Sequence, residues 1–292
     1  MTTTLLAVPN VSEGRNEPAI AYIGDAFATG ARLLDVHSDP DHHRSVFTLA
    51  GEPGRLAQSV LSGAREALNR VDIAVHQGEH PRVGAIDVAP IAYLREQDRG
   101  AAMAEALVLA DLLGEKLHVP VFLYGLLSGG RTRAELRRGG PTKLAERINE
   151  GELGPDFGPP RLHPTGGAVL VAARPPLVAF NVELAPPATL EQARDIAADI
   201  REGGPHGLPS VRAIGLWLAH RHVAQVSTNI EDHRRTQLAD VVEAVRRSAT
   251  PARAELVGLA PRAAFEGFPD DVPVANKRLI EEALAAHKEP AP

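Results

Sequence analysis

Residues 76–84, with the sequence HQGEHPRVG, bring two histidines, a glutamate and an arginine within seven positions of one another. Gly78 and Pro81 disfavour a regular helix here, because glycine costs backbone entropy and proline removes a donor and clashes with the preceding turn. We therefore predict a loop, the kind of element on which folds commonly present catalytic groups. Since an imidazole exchanges protons near neutral pH, we interpret His80 as a general acid–base catalyst.

The same residues offer a second interpretation. His76 to His80 match the H-x-x-E-H pattern of inverted zinc peptidases, in which both histidines bind one metal ion. That chemistry requires a helix, so that residues four positions apart share a face. Gly78 and Pro81 argue against such a helix, and the acid–base interpretation is favoured.

A second polar segment, residues 35–44, has the sequence DVHSDPDHHR with three aspartates and three histidines. Imidazole and carboxylate groups suit zinc or manganese, so a metal site is one interpretation. The other is a polar turn between two strands, either plain or beside an active site, in which Asp39 and Asp41 bond their own backbone. The sequence leaves both open.

Two later segments are candidates for ligand binding. On a strand, Gln225, Ser227 and Asn229 share one face, where they would line a ligand site or form the solvated face of an edge strand. Residues 158–167, with the sequence GPPRLHPTGG, end in paired glycines that allow the backbone to approach a ligand closely. They do not form a phosphate loop, because no Lys-Ser/Thr follows them.

Composition limits the class of protein. The 292 residues suffice for one large domain or two subdomains, and 44% hydrophobic with 23% charged residues is ordinary for a globular chain. The net charge of −6 gives no attraction to nucleic acid or an anionic membrane, so local arginines would have to bind an anionic substrate. Cysteine is absent, which excludes disulfides, thiolate zinc sites and a cysteine nucleophile. Without a secretory start or a long apolar run, we expect a cytoplasmic location.

The elements that must position these residues follow a repeated order. Apolar patterning predicts β-α-β-β-α-β with elements at 4–8, 12–28, 32–36, 45–50, 53–69 and 85–93, then a helix at 98–117 and a strand at 119–124. The same order returns at 178–184, 189–202, 211–218, 223–230, 234–248 and 254–259. We predict an α+β fold of two α/β-sandwich subdomains with mixed sheets and split βαβ (ferredoxin-like) order. Pro175-Pro176 is the predicted hinge between subdomains 1–176 and 177–292.

Six blocks, in order, carry a family resemblance: VPNVSEGRN (8–16), GEHPRVGAIDV (78–88), PDFGP (155–159), AFNV (179–182), AQVSTN (224–229) and LVGL (256–259). Together they resemble the glutamate formimidoyltransferase family, the formiminotransferase part of formiminotransferase-cyclodeaminase. The resemblance implies transfer of a formimino group from N-formimino-L-glutamate to N5 of tetrahydrofolate, with release of L-glutamate, in histidine degradation.

Further expectations come with the resemblance. The family has two α/β subdomains with a ligand groove between them, forms a homodimer and uses tetrahydrofolate as cosubstrate, with no metal expected. Its partners are small molecules, not nucleic acid or membrane. The helical cyclodeaminase half is not matched, so we expect a stand-alone transferase.

The resemblance also implies site residues. The family's catalytic histidine falls on His80, in the first subdomain, as base toward N5 and then acid toward the departing glutamate nitrogen. The folate-contacting loop falls on Gly158, Pro159, Pro160, Arg161, Leu162, His163, Pro164, Thr165, Gly166 and Gly167. Arg15, Arg44 and Arg82 are candidates to hold carboxylates, because guanidinium binds them bidentately. Asn10, Gln225 and Asn229 complete the predicted contacts.

At some positions the sequence departs from the family pattern, so other functions stay open. The family carries an acid and an asparagine where His37 and His43 stand, and residues 158–167 lack the aromatic side chain expected near a pterin. Glu79 or another loop acid would orient His80. The alternatives are a formyl donor, a folate-binding protein without turnover, and a metal hydrolase that uses His37, Asp39, His42, His43, His76 and His80.

Overall fold

The computed structural model describes residues 3–77 and 81–286. The chain divides into two compact units, Met1–Arg174 and Pro175–Pro292, and each contains its own sheet. Within the described residues, no helix has the length and apolar character needed to cross a membrane.

The first unit is a mixed sheet with helices between its strands. Its elements are β1 Leu5–Ala7, β2 Asn10–Val11, α1 Glu17–Phe27, β3 Arg32–Asp39, β4 Arg44–Gly51, α2 Leu56–Arg70, β5 Ile86–Tyr93, α3 Arg99–Leu117, β6 Val121–Leu123, α4 Arg133–Arg137, α5 Gly140–Asn149 and β7 Val169–Arg174. Both β1 and β2 pair with β4 on one side and β5 on the other, so they act as one strand interrupted at Pro9.

Strand pairing confirms the predicted ferredoxin-like order. The strands run β5, β1/β2, β4, β3 across the sheet, and every pairing among them is antiparallel. Beyond β5, the strands β7 and β6 add in parallel, which makes the sheet mixed. The parallel extension needs a long crossover, and α3 provides it between β5 and β6.

The second unit repeats this topology. Its elements are β8 Val178–Leu184, α6 Leu190–Ile200, β9 Val211–Leu218, β10 Val223–Ile230, α7 Leu238–Arg246, β11 Pro251–Val257, β12 Val274–Ala275 and α8 Ile280–Ala286. The strand order is β12-β11-β8-β10-β9. Since β10 lies between β8 and β9, the interpretation of residues 225–229 as an edge strand is wrong: its hairpin partner β9 takes the edge.

Two element boundaries differ from prediction in ways that shape the site. Helix α1 begins at Glu17 rather than near Ser12, because Asn16 caps it and accepts a hydrogen bond from the Ala19 N–H at 3.1 Å. Strand β3 continues through Asp39, so the predicted polar loop contracts to a turn at residues 40–43. Residues 37–39 are therefore on a strand.

Each face of the first sheet has its own core. The larger core packs α1, α2 and α3 against one face, with Phe27, Phe47 and Leu109 fully buried. On the other face, Leu136 and Leu144 from α4 and α5 pack against Val83, Val88, Phe122 and Leu170. The smaller core therefore holds Val83, close to the end of the predicted catalytic loop.

Gly84 closes that loop through backbone contacts. A Cβ added there would lie 1.9 Å from the Ala168 carbonyl oxygen, and Gly84 also forms a bridge with Gly167. Ser12 Oγ donates to the Gly84 carbonyl at 2.8 Å. Gly84→Ala should lower the free energy of unfolding by about 1–3 kcal/mol, because backbone must move to admit the methyl group.

Urea unfolding checks this expectation. The matched control is Gly100→Ala in α3, where a Cβ would meet nothing within 4 Å. It should leave stability unchanged or raise it slightly, since alanine favours helix. Equal midpoints for the two variants would contradict the close approach at Gly84.

Candidate functional site

The predicted catalytic residue, His80, lies outside the described residues together with Gly78 and Glu79. The structure does describe both ends of that loop. Arg82 donates from Nη2 to the His76 carbonyl oxygen at 3.3 Å, which ties the end of the loop back to its start. The two described ends of this segment, 76–77 and 81–84, are therefore held close together.

A buried carboxylate is the main anchor of the loop. Asp87, fully buried on β5, accepts from the Val83 N–H through Oδ1 at 2.8 Å. Its Oδ2 accepts from Arg44 Nη1 at 2.7 Å and from Arg137 Nη2. Two guanidinium groups thus neutralise and orient a carboxylate that fixes the backbone two residues after Pro81. Sequence reasoning missed Asp87 and Arg137, although an aspartate within the apolar strand IDVAPIAY was a visible signal.

Arg44 and Asn10, predicted to contact substrate, belong to this anchor. Arg44 donates from Nε to Asn10 Oδ1 at 3.0 Å, and Asn10 Nδ2 donates to the Val8 carbonyl oxygen at 2.8 Å. Burial lowers the pKa of Arg44 to about 10, and Asp87 opposes that shift. Arg44 stays charged at neutral pH, and its ion pair with Asp87 holds it in the fold.

The loops at 76–84 and 158–167, predicted separately, lie against each other. Ala85 N–H donates to the Gly166 carbonyl oxygen at 2.9 Å, and Ile73 N–H donates to that of Thr165 at 2.7 Å. Gly167 has φ +68°, and a Cβ there would lie 2.2 Å from the Val83 carbonyl oxygen. Only glycine fits this position, so the paired glycines serve contact between loops.

A cavity of about 660 Å³ opens between these loops and the start of α5. Its lining includes the apolar Leu162 and Pro164 and the polar His76, Arg82, Thr142 and His163. A volume in this range, apolar walls and a few polar groups are typical of small-molecule sites. The rest of the predicted folate loop lies elsewhere: Gly158 packs against α3 near Gly114, Pro159 is half-buried, and Pro160 and Arg161 are exposed.

His163 presents a defined tautomer to this cavity. The Gly166 N–H donates to its Nδ1 at 2.9 Å, so a neutral ring carries its proton on Nε2. Burial, and then the charge of His118, lowers the pKa of His163. The imidazole is therefore neutral near pH 7 and offers an N–H donor.

Two further histidines stack beside the loop. The rings of His43 and His76 have centroids 4.1 Å apart and an interplanar angle of 33°. His43 ends the turn at 40–43 with φ +49°, and its Nδ1 accepts from the Gly14 N–H at 3.1 Å. A Cβ on Gly14 would lie 2.3 Å from the Asp39 carbonyl oxygen, so glycine allows this approach.

Both rings favour the neutral form. Burial lowers the pKa of His76 to about 4, with the charges of Arg82 and His43 acting in the same direction. Neither ring nitrogen of His76 completes a hydrogen bond with a described residue. Burial also lowers the pKa of His43, while Glu13 partly opposes the shift.

The polar turn beside these rings shows local hydrogen bonding. Asp39 Oδ1 accepts from the His42 N–H at 2.8 Å, as expected for an aspartate that bonds backbone within its own turn. Across residues 3–77 and 81–286, no three histidine, aspartate or glutamate side chains gather in a metal-binding arrangement.

A second, smaller cavity of about 350 Å³ shares His76 with the first. Its lining includes Glu13, Arg15, His43, Arg70 and Asp72. Burial raises the pKa of Glu13, but hydrogen bonds from the backbone N–H groups of Arg15 and Asn16 outweigh it, so the net pKa is lowered. This cavity is lined by charged groups of both signs.

Gln225 and Asn229 lie in the second unit, on β10. Gln225 is fully buried opposite Glu183 of β8, and neither of its amide atoms has a hydrogen-bond partner among the described residues. Asn229 is half-buried opposite Ala179. Their contact with ligand stays a prediction.

Asp87→Asn tests the loop anchor. Removing the carboxylate charge leaves Arg44 and Arg137 buried beside a neutral amide, and breaking a buried pair in this way typically costs about 3–5 kcal/mol. Urea unfolding should show that the free energy of unfolding falls by about this amount. Asp111→Asn, on the exposed face of α3, is the matched control and should unfold like the wild type. If Asp87→Asn unfolds at the same urea concentration as the wild type, the ion pairs of Asp87 do not hold this loop.

His76 should make stability depend on pH. Its folded pKa lies below the ordinary 6.5, so the unfolded chain takes up the proton first on acidification. The neutral ring of His76 therefore stabilises the folded state fully above pH 6.5, and this stabilisation is lost as the pH falls toward 4. Melting temperatures measured from pH 7 to 4 should decline more steeply for the wild type than for His76→Gln. Parallel curves would contradict the neutral, half-buried ring.

Comparison with known proteins identifies the family to which the chain belongs. Residues 4–174 match the model of the formiminotransferase domain, N-terminal subdomain, and residues 179–267 match that of the formiminotransferase domain. The chain is 33% identical to the glutamate formimidoyltransferase of Streptococcus pyogenes serotype M1, over 99% of this chain and 97% of that protein. The glutamate formimidoyltransferase of Thermoplasma acidophilum is also 33% identical, over 88% of each chain.

A longer relative matches in part. The formimidoyltransferase-cyclodeaminase of Rattus norvegicus is 39% identical over 89% of this chain, and the chain spans about half (51%) of its length. The two family models follow one another along the chain and together match most of its residues. The chain therefore belongs to the formiminotransferase family.

Proposed function

We propose that this chain transfers the formimino group of N-formimino-L-glutamate to N5 of tetrahydrofolate and releases L-glutamate, a step of histidine degradation. The observation that carries the proposal is the contact between residues 76–84 and 158–167 around one cavity of about 660 Å³. Near full-length similarity to a glutamate formimidoyltransferase supports it. Tetrahydrofolate acts as cosubstrate in this proposal.

The reaction needs two proton transfers. The N5 lone pair attacks the formimino carbon and forms a tetrahedral centre, and the N5 proton must then leave. The bond from that carbon to the glutamate nitrogen breaks as this nitrogen gains a proton. One imidazole with a pKa near neutrality can accept the first proton and donate the second. We assign this role to His80.

The described residues would support that chemistry in four ways. Asp87 holds the Val83 backbone and with it the end of the catalytic loop. His163, neutral with its proton on Nε2, would donate a hydrogen bond to a ring carbonyl or nitrogen of the folate. Arg82, in the lining of the same cavity, would attract a substrate carboxylate. Leu162 and Pro164 supply apolar surface for a flat ring.

Glutamate release from N-formimino-L-glutamate, with and without tetrahydrofolate, tests the proposal. We expect folate-dependent release from the wild type and a loss of about 10²–10⁴-fold in kcat for His80→Ala, the usual worth of a positioned base. Binding of tetrahydrofolate, followed by calorimetry, should persist in the variant. His206→Ala, exposed in the second unit, is the matched histidine control.

Two further assays distinguish the proposed reaction from a formyl transferase and a metal hydrolase. N-formyl-L-glutamate offered as the donor should turn over more slowly than the formimino compound. A chelator should leave the rate unchanged. Wild-type protein that releases no glutamate when tetrahydrofolate is present would overturn the proposed reaction.

A further inference from the structure

We propose that the smaller cavity, lined by Glu13, Arg15, His43, Arg70, Asp72 and His76, binds the glutamyl end of the one-carbon donor, while the larger cavity receives the acceptor ring. This assignment rests on the proposed function and names a donor subsite within it.

The two volumes fit ligands of different size. At about 350 Å³, the smaller cavity lies near the lower end of the range for small-molecule sites, as suits an amino-acid derivative. The larger cavity, at about 660 Å³, has nearly twice the volume and carries the apolar side chains Leu162 and Pro164. A bicyclic ring system matches the larger cavity, and a polar, acyclic donor matches the smaller one.

The charges of the smaller cavity complement the donor. N-formimino-L-glutamate has two carboxylates and one amidinium group, a strong base that is protonated at neutral pH. Arg15 and Arg70 provide two guanidinium groups for the carboxylates, and Glu13 and Asp72 provide carboxylates for the amidinium. Guanidinium and carboxylate pair with high geometric specificity. The cavity thus presents the opposite charge for each charged group of this ligand.

These groups are oriented before a ligand arrives. Arg15 Nε donates to the Pro40 carbonyl oxygen at 2.9 Å, and Arg70 Nε donates to Glu66 Oε1 at 2.5 Å. Arg70 also lies over the Tyr22 ring, with its guanidinium carbon 4.2 Å from the centroid. In both arginines the hydrogen bond is made by Nε, which fixes the orientation of the guanidinium group.

The acids are held in the same manner. Asp72 Oδ1 accepts from the Ala74 N–H at 2.9 Å, and Glu13 Oε1 accepts from two backbone N–H groups. One oxygen of each carboxylate therefore fixes the orientation of that group. Pre-orientation of this kind reduces the entropy lost when a ligand binds.

The two subsites are neighbours that share part of one wall. Among the lining residues described, His76 is common to both cavities, and its ring stacks on His43. A transferred carbon has to contact donor and acceptor in turn, so it must pass beside His76. Because this ring is neutral near pH 7, it does not repel the amidinium cation. His76 would thus be a positioning residue between the subsites.

Steady-state kinetics with each substrate varied in turn test the assignment. Arg70→Gln, in α2, and Asp72→Asn, just after it, should raise the KM for N-formimino-L-glutamate by about tenfold or more, as expected for one charge-assisted contact. The KM for tetrahydrofolate should change by less than about twofold. Arg65→Gln, exposed one turn earlier in α2, removes the same charge outside the cavity and should match the wild type.

A binding measurement keeps this inference separate from the reaction. L-Glutamate titrated calorimetrically into the full chain should bind to the wild type and to Arg65→Gln, and more weakly to Arg70→Gln and Arg15→Gln. If neither the wild type nor any variant catalyses the reaction but this binding pattern is observed, the proposed function is wrong and the subsite assignment is supported. If turnover occurs and both arginine variants keep wild-type KM values and glutamate affinity, the subsite assignment is wrong. Circular dichroism establishes that each variant is folded.

Discussion

The buried ion pair at Asp87 is the interaction on which the site depends. A carboxylate with no exposure to solvent is costly unless it is paired and hydrogen-bonded, and here Arg44, Arg137 and the Val83 N–H complete its coordination. The three partners come from β4, from α4 and from Val83, at the end of the predicted catalytic loop. One carboxylate therefore joins an inner strand of the ferredoxin-like sheet, a helix of the smaller core and the segment that follows Pro81.

Glycine provides the second constraint, through contacts that leave no room for a side chain. Gly14 lets the segment after β2 reach the turn between β3 and β4, and Gly84 and Gly167 let two loops meet backbone to backbone. Gly14 and Gly84 lie in sequence blocks that carry the family resemblance, and Gly167 ends the predicted folate loop. Contact between the two loops thus accounts for Gly167, which sequence reasoning had linked to ligand binding alone.

The two units use one topology for different local chemistry. In each, the hairpin between the second and third ferredoxin-like strands closes with a four-residue turn that ends in a histidine of positive φ, His43 in the first and His222 in the second. In the first unit this conformation brings the ring of His43 onto His76. Burial keeps both rings neutral, which suits a site for a cationic amidinium and an uncharged amine.

Local patterns in the sequence determined the element order and the α+β class, because apolar periodicity acts over a few residues. They also identified the loops at 76–84 and 158–167, whose glycines and prolines exclude regular structure. Tertiary structure alone decided that these loops touch, that Arg44 pairs with Asp87, and that His43 stacks on His76. Such contacts join residues 33 to 83 positions apart, for instance His43 with His76 and Gly84 with Gly167. No local pattern encodes them, since they depend on which strands become neighbours in the sheet.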